Sequence, residues 1–264
     1  MTHNASIVYH SRVNNGKIRD FFRDFATPYS IRFFGIAFAP KTRFLFSQRN
    51  ILMDYLGIDY VLDIGANIGQ FALELRRSGF EGRILSVEPL SDPFRILQKN
   101  FERDDFWTGR NLLIGEQCKS ARIEKWGDSS TASVLKVSDE TLETHHYLNS
   151  RGFEINEMKT LECFINSEKK LSSSSNIFLK LDVQGYEEHI LATLPAVSHR
   201  ISVIQLETSL SKIYEGGSHL SSTATLLDTS NYTVVTVMTE RFQKKTLRAL
   251  DTDLIAVRND LLPK

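Results

Sequence analysis

"VLDIGANIGQFALEL" occupies residues 61–75, and its reading decides the fold. An apolar run stops at an acid, Asp63, and Gly65, Asn67 and Gly69 follow. Ile68, Phe71, Ala72 and Leu75 then recur at helical spacing until Gly79 stops them. A strand, a tight turn and a helix open an α/β sheet, and in such sheets ligands bind beyond the carboxyl ends of the strands. The glycines mark a turn where the backbone comes close to a ligand.

The alternation extends outward from this unit. Residues 47–57 predict a helix with Ser47 as N-cap and Gly57 as stop; 60–64 and 82–88 predict strands. Residues 91–101 predict a helix with an N-cap and then Pro93 in its first turn. Strands follow at 110–115 and 121–126, then a polar stretch, 127–156, without firm periodicity, and a mixed segment, 158–167. "SSSS" at 172–175 is a linker. Residues 176–183 and 201–207 are strands, and 186–194 and 219–230 are helices. Two last strands, 232–238 and 253–258, have only a basic segment between them, which suits an antiparallel pair at one edge. Near-continuous apolar strands alternating with helices indicate a doubly wound, Rossmann-like parallel sheet covered on both faces.

Three readings of the turn compete. A phosphate loop needs a lysine, and Gln70 follows Gly69 instead. The dinucleotide fingerprint of an NAD(P)-linked oxidoreductase needs a bare glycine at position 67, where this chain has Asn67. An acid at the strand tip repels phosphate and attracts an ammonium or a sulfonium, and S-adenosylmethionine carries both. Glu88 ends the second strand, in "SVEP", 19 residues past Gly69. A carboxylate there can accept both hydroxyls of an unphosphorylated ribose.

"VLDIGANIGQFALEL", "SVEPLSDPFRILQKN", "LKLDVQGYEEHIL" and "IQLETSLSKIYEGG" together resemble the FkbM-type family of S-adenosylmethionine-dependent methyltransferases, over roughly residues 50–258. The resemblance implies a class I methyltransferase sheet of seven strands, parallel except for the last. It implies transfer to a hydroxyl, mostly of sugars or natural products. It carries cofactor contacts onto Asp63, Gly65, Ala66, Asn67, Gly69, Glu88 and Asp182, and, beyond the third strand, onto Gly115 and Glu116. "GDSSTASVL" (127–135) would pass near the adenine.

Asp182 and Glu207 stand at two further strand tips, and either is a candidate to orient or deprotonate the acceptor hydroxyl. His145 and His146, in the long polar segment, and Tyr214 and Glu215, in "SKIYEGG", are the candidate acceptor-binding residues. His189, beside Glu188 on a helix, fits a solvated face. A divalent metal would also suit such acids, but no pair has a diagnostic spacing.

Lys+Arg and Asp+Glu balance at 32 each, so no overall basic field recruits nucleic acid. A nucleobase methyltransferase would show D/N-P-P-Y/F where this chain has "DVQGY". Other readings are a methyltransferase on a non-sugar small molecule and a binding module that keeps only the fold. Two cysteines, Cys118 and Cys163, lie outside any zinc-like spacing and read as buried or idle thiols. The N-terminus lacks a signal peptide's apolar core, so the expected setting is cytoplasmic. Residues 1–45 are expected to form a helical extension before a methyltransferase domain at 46–264. This extension mixes Lys and Arg with Phe, a composition that suits peripheral contact with the inner membrane face, a homodimer contact or a cover for the sheet.

Overall fold

The structure, a computed structural model, describes residues 32–33, 36–37, 42–126, 132–137, 150–172, 174, 176–210, 214–238, 242–243 and 248–263. The chain divides into two compact units, Met1–Phe44 and Leu45–Lys264. In the first, β1 (Arg32–Phe33) pairs antiparallel with β2 (Ile36–Ala37). The rest of the helical extension expected at residues 1–45, up to Lys41, lies outside the described residues.

The second unit follows in order. Helix α1 (Thr42–Tyr55), which starts three residues before this unit, leads to β3 (Tyr60–Ile64), α2 (Gln70–Arg77), β4 (Arg83–Val87), α3 (Ser91–Asn100) and β5 (Trp107–Arg110). Then come β6 (Leu113–Ile114), β7 (Lys119–Trp126), β8 (Ser150–Lys159), α4 (Leu161–Ser167) and α5 (Lys169–Ser172). The last part holds β9 (Ile177–Leu181), α6 (Glu187–Leu191), β10 (Ile201–Ser209), α7 (Leu220–Thr229), β11 (Tyr232–Met238), the short β12 (Phe242–Gln243) and β13 (Arg248–Ala249), and β14 (Asp251–Arg258).

Seven strands form one sheet in the order β11-β14-β10-β9-β3-β4-β5. Strands β10, β9, β3, β4 and β5 run parallel, and β14 runs antiparallel to both its neighbours, β10 and β11. The chain's final long strand thus inserts beside the edge, and β11 takes the edge itself. Both faces are covered. Val61, Phe178, Val203 and Val257 meet Met53 of α1, Ala72 and Leu75 of α2, and Leu97 of α3. Leu62, Leu179, Ile204 and Leu254 meet Phe164 of α4, Ile190 of α6 and Leu227 of α7 on the other face. Each fully buried leucine contributes about 1.5–3 kcal/mol of apolar transfer.

Several local expectations change. Helix α1 begins five residues before the expected N-cap at Ser47. Helix α3 is capped by Leu90, because the Ser91 hydroxyl bonds Glu154 instead, at 2.7 Å. The strand expected at 110–115 splits: β5 ends at Arg110 on the main sheet, while β6 pairs parallel with β8 in a small sheet ordered β6-β8-β7. The polar stretch ends in a strand, β8, whose apolar Phe153 and Ile155 face outward, with the Arg122 guanidinium 3.7 Å from the Phe153 ring centroid. Its inward partners are polar. Glu154 accepts the Ser91 N–H, and Asn156 donates to the Pro89 carbonyl at 2.7 Å, which pins the chain just after Glu88. Cys118 and Cys163 are exposed rather than buried, Cys118 on the turn before β7 and Cys163 near the start of α4. Among the described residues no helix is long and apolar enough to cross a membrane.

Candidate active site

The turn after β3 is built by hydrogen bonds within the protein. The N–H groups of Gly65 and Ala66 both donate to the Val87 carbonyl, at 2.9 and 3.0 Å, so neither is left for a phosphate. Gly65 has φ 80°, and a Cβ there would lie 1.8 Å from the Asp182 carbonyl oxygen. Gly69 has φ 95°, and a Cβ there would strike Leu97 of α3 and Phe101 just beyond its end. The glycines therefore let protein approach protein, the Asp182 strand tip at Gly65 and the Leu97 and Phe101 side chains at Gly69. Asn67 takes the left-handed conformation at φ 49°, which its short polar side chain tolerates.

The loop closes on Glu88. Its Oε2 accepts the Asn67 N–H and its Oε1 the Leu90 N–H, both at 2.8 Å. Each oxygen keeps a further lone pair for a donor in the cavity. Burial, opposed by those two N–H groups, pushes the Glu88 carboxyl up to about 7.

A cavity of about 560 Å³ opens where β3, β4, β9 and β10 end. Gly65, Ala66, Asn67, Glu88, Asp182 and Glu207 line it, so the fold gathers six of the residues singled out in the sequence. On one side the wall is apolar, with Leu90, Leu112, Leu113, Ile114 and Val134. The opposite wall is polar and carries Arg49, Glu74, Lys180, Gln205, Asp251 and Asp253.

Other candidates stand elsewhere. Asp63 is fully buried and lies outside the cavity wall. Its Oδ2 accepts from the Ser86 hydroxyl at 3.3 Å, and that hydroxyl takes the Trp107 indole N–H at 3.1 Å. Burial pushes its carboxyl up to about 6, against the opposing pull of Lys180. Gly69, Gly115, Glu116, Tyr214 and Glu215 also lie outside the wall. Gly115 packs on Met158, and Glu116 is exposed, 3.6 Å from His189 Nδ1. The His189 ring rests on Tyr186, 4.3 Å between centroids, so this histidine is half-buried rather than on a solvated face. Tyr214 is buried against Gly185, with its hydroxyl 3.4 Å from Gln184 Oε1, and Glu215 is exposed. His145 and His146, and the start of "GDSSTASVL", fall outside the described residues.

Sequence reasoning missed Lys180 and Gln205. Lys180 is nine-tenths buried, and its Nζ donates to Asp182 Oδ2 at 2.8 Å. Burial pulls its pKa down, but Asp182 and Asp63 outweigh that and leave it raised, so the ammonium stays charged. The signal was present: a lysine inside "NIFLKLDV", an otherwise apolar strand. Asp182 takes its second bond from Gln184 Nε2, at 2.9 Å. Glu187, in the same "QGYEE" turn, is also buried; it accepts from Val183 N at 2.9 Å and Gly185 N at 3.3 Å and from the Ser218 hydroxyl, which fixes that turn.

Seven strands in this order, with one antiparallel strand inserted beside the edge, define the class I methyltransferase fold. The sequence profile of the methyltransferase FkbM domain matches residues 63–241. The chain belongs to the FkbM methyltransferase family. Solved structures similar to it include an S-adenosylmethionine dependent methyltransferase from Mesorhizobium loti, 10% identical, covering 80% of this chain and 96% of that one at TM-score 0.47. Another is magnesium protoporphyrin IX methyltransferase from Synechocystis with bound SAM, 12% identical, covering 95% of this chain and 100% of that one at TM-score 0.41. No curated protein matches the chain.

S-adenosylmethionine, the donor implied by the family, fits the residues present. Glu88 offers the ribose two carboxylate oxygens with spare lone pairs, the Leu112–Ile114 wall suits an adenine, and Asp182 beside the turn suits the amino-acid tail. Among the described residues no group of three His, Cys, Asp or Glu side chains is placed to hold a metal ion.

A pH dependence follows from Glu88. Its carboxyl is raised in the folded state from an ordinary 4.5, so its contribution to stability is present below about 4.5 and is lost as pH rises through about 7. Ribose hydroxyls placed at Glu88 would donate to the ionised form, so donor affinity is expected to run the opposite way. Affinity is expected to rise up to about tenfold per pH unit below neutrality and then level off, with proton release on binding. Calorimetry at pH 6.5 in two buffers of different ionisation enthalpy reads that proton. A flat affinity across pH 6–8 would contradict the role given to Glu88.

Proposed function

We propose that this methyltransferase transfers a methyl group from S-adenosylmethionine to a hydroxyl of a sugar, in a glycolipid, a polysaccharide or a glycosylated natural product. One observation carries the reading. The polar wall presents hydrogen-bond acceptors in register: Glu207 on β10 lies directly across the ladder from Asp253 on β14, and Gln205 lies two residues before Glu207 on the same face. Oxygen acceptors on adjacent strands match an acceptor rich in O–H donors. The basic, aromatic residues 1–45 suit a glycolipid acceptor at a membrane surface.

Bound S-adenosylmethionine supplies the electrophilic methyl group. The protein aligns the acceptor oxygen and removes its proton. Asp182 already engages both oxygens, one with Lys180 and the other with Gln184, which holds its carboxylate in a fixed orientation. Asp182 therefore orients, and Glu207 is the base. Glu207→Gln is expected to lower turnover by about 10²–10⁴-fold with donor affinity unchanged. Asp182→Asn is expected to weaken donor affinity as well. The assay is mass spectrometry after incubation with labelled donor and extracted glycolipids, free glycosides and small phenols. Full turnover of Glu207→Gln would remove the base assignment, and a methyl gained only by phenols would remove the sugar.

A further inference from the structure

Three strands bring a buried polar row together at the cavity. Asp63 on β3 is in register with Lys180 on β9, and Lys180 with Gln205 on β10. Ser86 on β4 extends the row on the other side of Asp63. These residues share the sheet face that carries Val61, Phe178 and Val203, the face packed by α1 and α2. Such a band inside an apolar face costs stability unless each member is bonded. Three members are engaged: Ser86 with Asp63 and Trp107, and Lys180 with Asp182, although the second Asp63 oxygen, Oδ1, has no hydrogen-bond partner among the described residues and lies outside the cavity wall. Gln205 differs. It is 4% exposed, it lines the cavity, and its Oε1 has no hydrogen-bond partner among the described residues.

A side-chain carbonyl in that state sacrifices the solvation it had in water and gains nothing from the fold alone. Its place explains it. Gln205 lies two residues before Glu207 on one face of β10, so a donor that reaches Oε1 stands beside the carboxylate assigned as base. Lys180, its ladder neighbour, is held by Asp182 and lies over the Phe71 ring, 5.5 Å from the centroid, so that side of the glutamine is rigid.

We propose that Gln205 is an acceptor-positioning residue: its Oε1 accepts a hydrogen bond from a hydroxyl of the sugar next to the one that is methylated, and so fixes which hydroxyl faces Glu207. This rests on the sugar-hydroxyl reading above. A one-point hydrogen bond next to the reacting oxygen selects position, because an epimer that turns the neighbouring hydroxyl away leaves Oε1 buried and unpaired.

The test uses the full chain saturated with S-adenosylhomocysteine and titrated with methyl glycosides of glucose, galactose and mannose, read by saturation-transfer NMR. Gln205→Met keeps the volume and removes the acceptor oxygen; Gln205→Glu keeps an oxygen in place. Wild-type protein is expected to bind at least one glycoside, Gln205→Met to bind it about tenfold more weakly, and Gln205→Glu to restore most of the difference. Melting curves and S-adenosylhomocysteine affinity are expected to match wild type in both variants. If wild type binds a glycoside and Gln205→Met binds it equally, Gln205 serves only a buried water or the fold, and the proposal falls while the sugar reading stands. If wild type binds none of the glycosides, both fall together.

Discussion

Gly65→Ala is expected to destabilise the protein by about 2–5 kcal/mol, from left-handed strain and overpacking together. The cause is local and specific. At φ 80° a side chain is strained, and its Cβ would sit 1.8 Å from the Asp182 carbonyl oxygen, which is backbone and cannot swing aside. Relief requires the tips of β3 and β9 to separate. The Asp182 N–H bonds the Ile64 carbonyl at 3.0 Å across that same gap, so separation breaks this bond too. Asp182 then leaves its place at the cavity, and activity is expected to fall with stability. Gly79→Ala is the control. It has φ 94° and open space around its Cβ, so it carries backbone strain alone, about 1–2 kcal/mol. Thermal and urea melts of the two variants separate strain from packing. Equal losses would refute the account of Gly65 as a packing glycine.

Lys180→Met is expected to cost about 3 kcal/mol, since removing one partner of a buried ion pair leaves the other uncompensated. Methionine keeps the unbranched stem against Phe71 and removes only the ammonium. Two carboxylates lose their cation: Asp182, bonded to Nζ at 2.8 Å, and Asp63, in register with Lys180 across the ladder. Asp63 responds by protonation. Its carboxyl already stands at about 6 because of burial, with Lys180 the main group opposing that rise, so in the variant it moves further up, toward the neutral form. That neutralisation limits the stability loss and removes negative charge from beneath the site of a cationic donor. The melting point is expected to fall by roughly 6–12 °C at pH 7.5, with donor affinity reduced in parallel. A shift below about 2 °C with unchanged affinity would show that Lys180 is only a solvated stem end.

Much of this site was legible along the chain. The run 61–75 declared its strand, turn and helix, because apolar period and glycine stops are local properties. The acids at strand tips, Glu88, Asp182 and Glu207, could be found because each ends an apolar run, and all three reach the cavity wall. The motifs together pointed to the family that the profile match then showed. The strand β8 was harder to read, since its apolar Phe153 and Ile155 face outward and its polar Glu154 and Asn156 do the holding.

Sequence alone therefore determined the sheet, the family and the acids at the strand tips. Only the tertiary structure decided which side chains meet. Lys180 and Gln205 sit in strands whose two faces are both apolar, so alternation does not say which face a residue takes. Their partnership with Asp63 depends on register between strands more than a hundred residues apart in the chain for Asp63 and Lys180, a relation set by packing rather than by any local period. The same physics placed Asp63 outside the cavity wall and gave Gly65 its reason: the closest neighbour of the turn is the carbonyl of Asp182, brought there by the parallel pairing of β3 and β9.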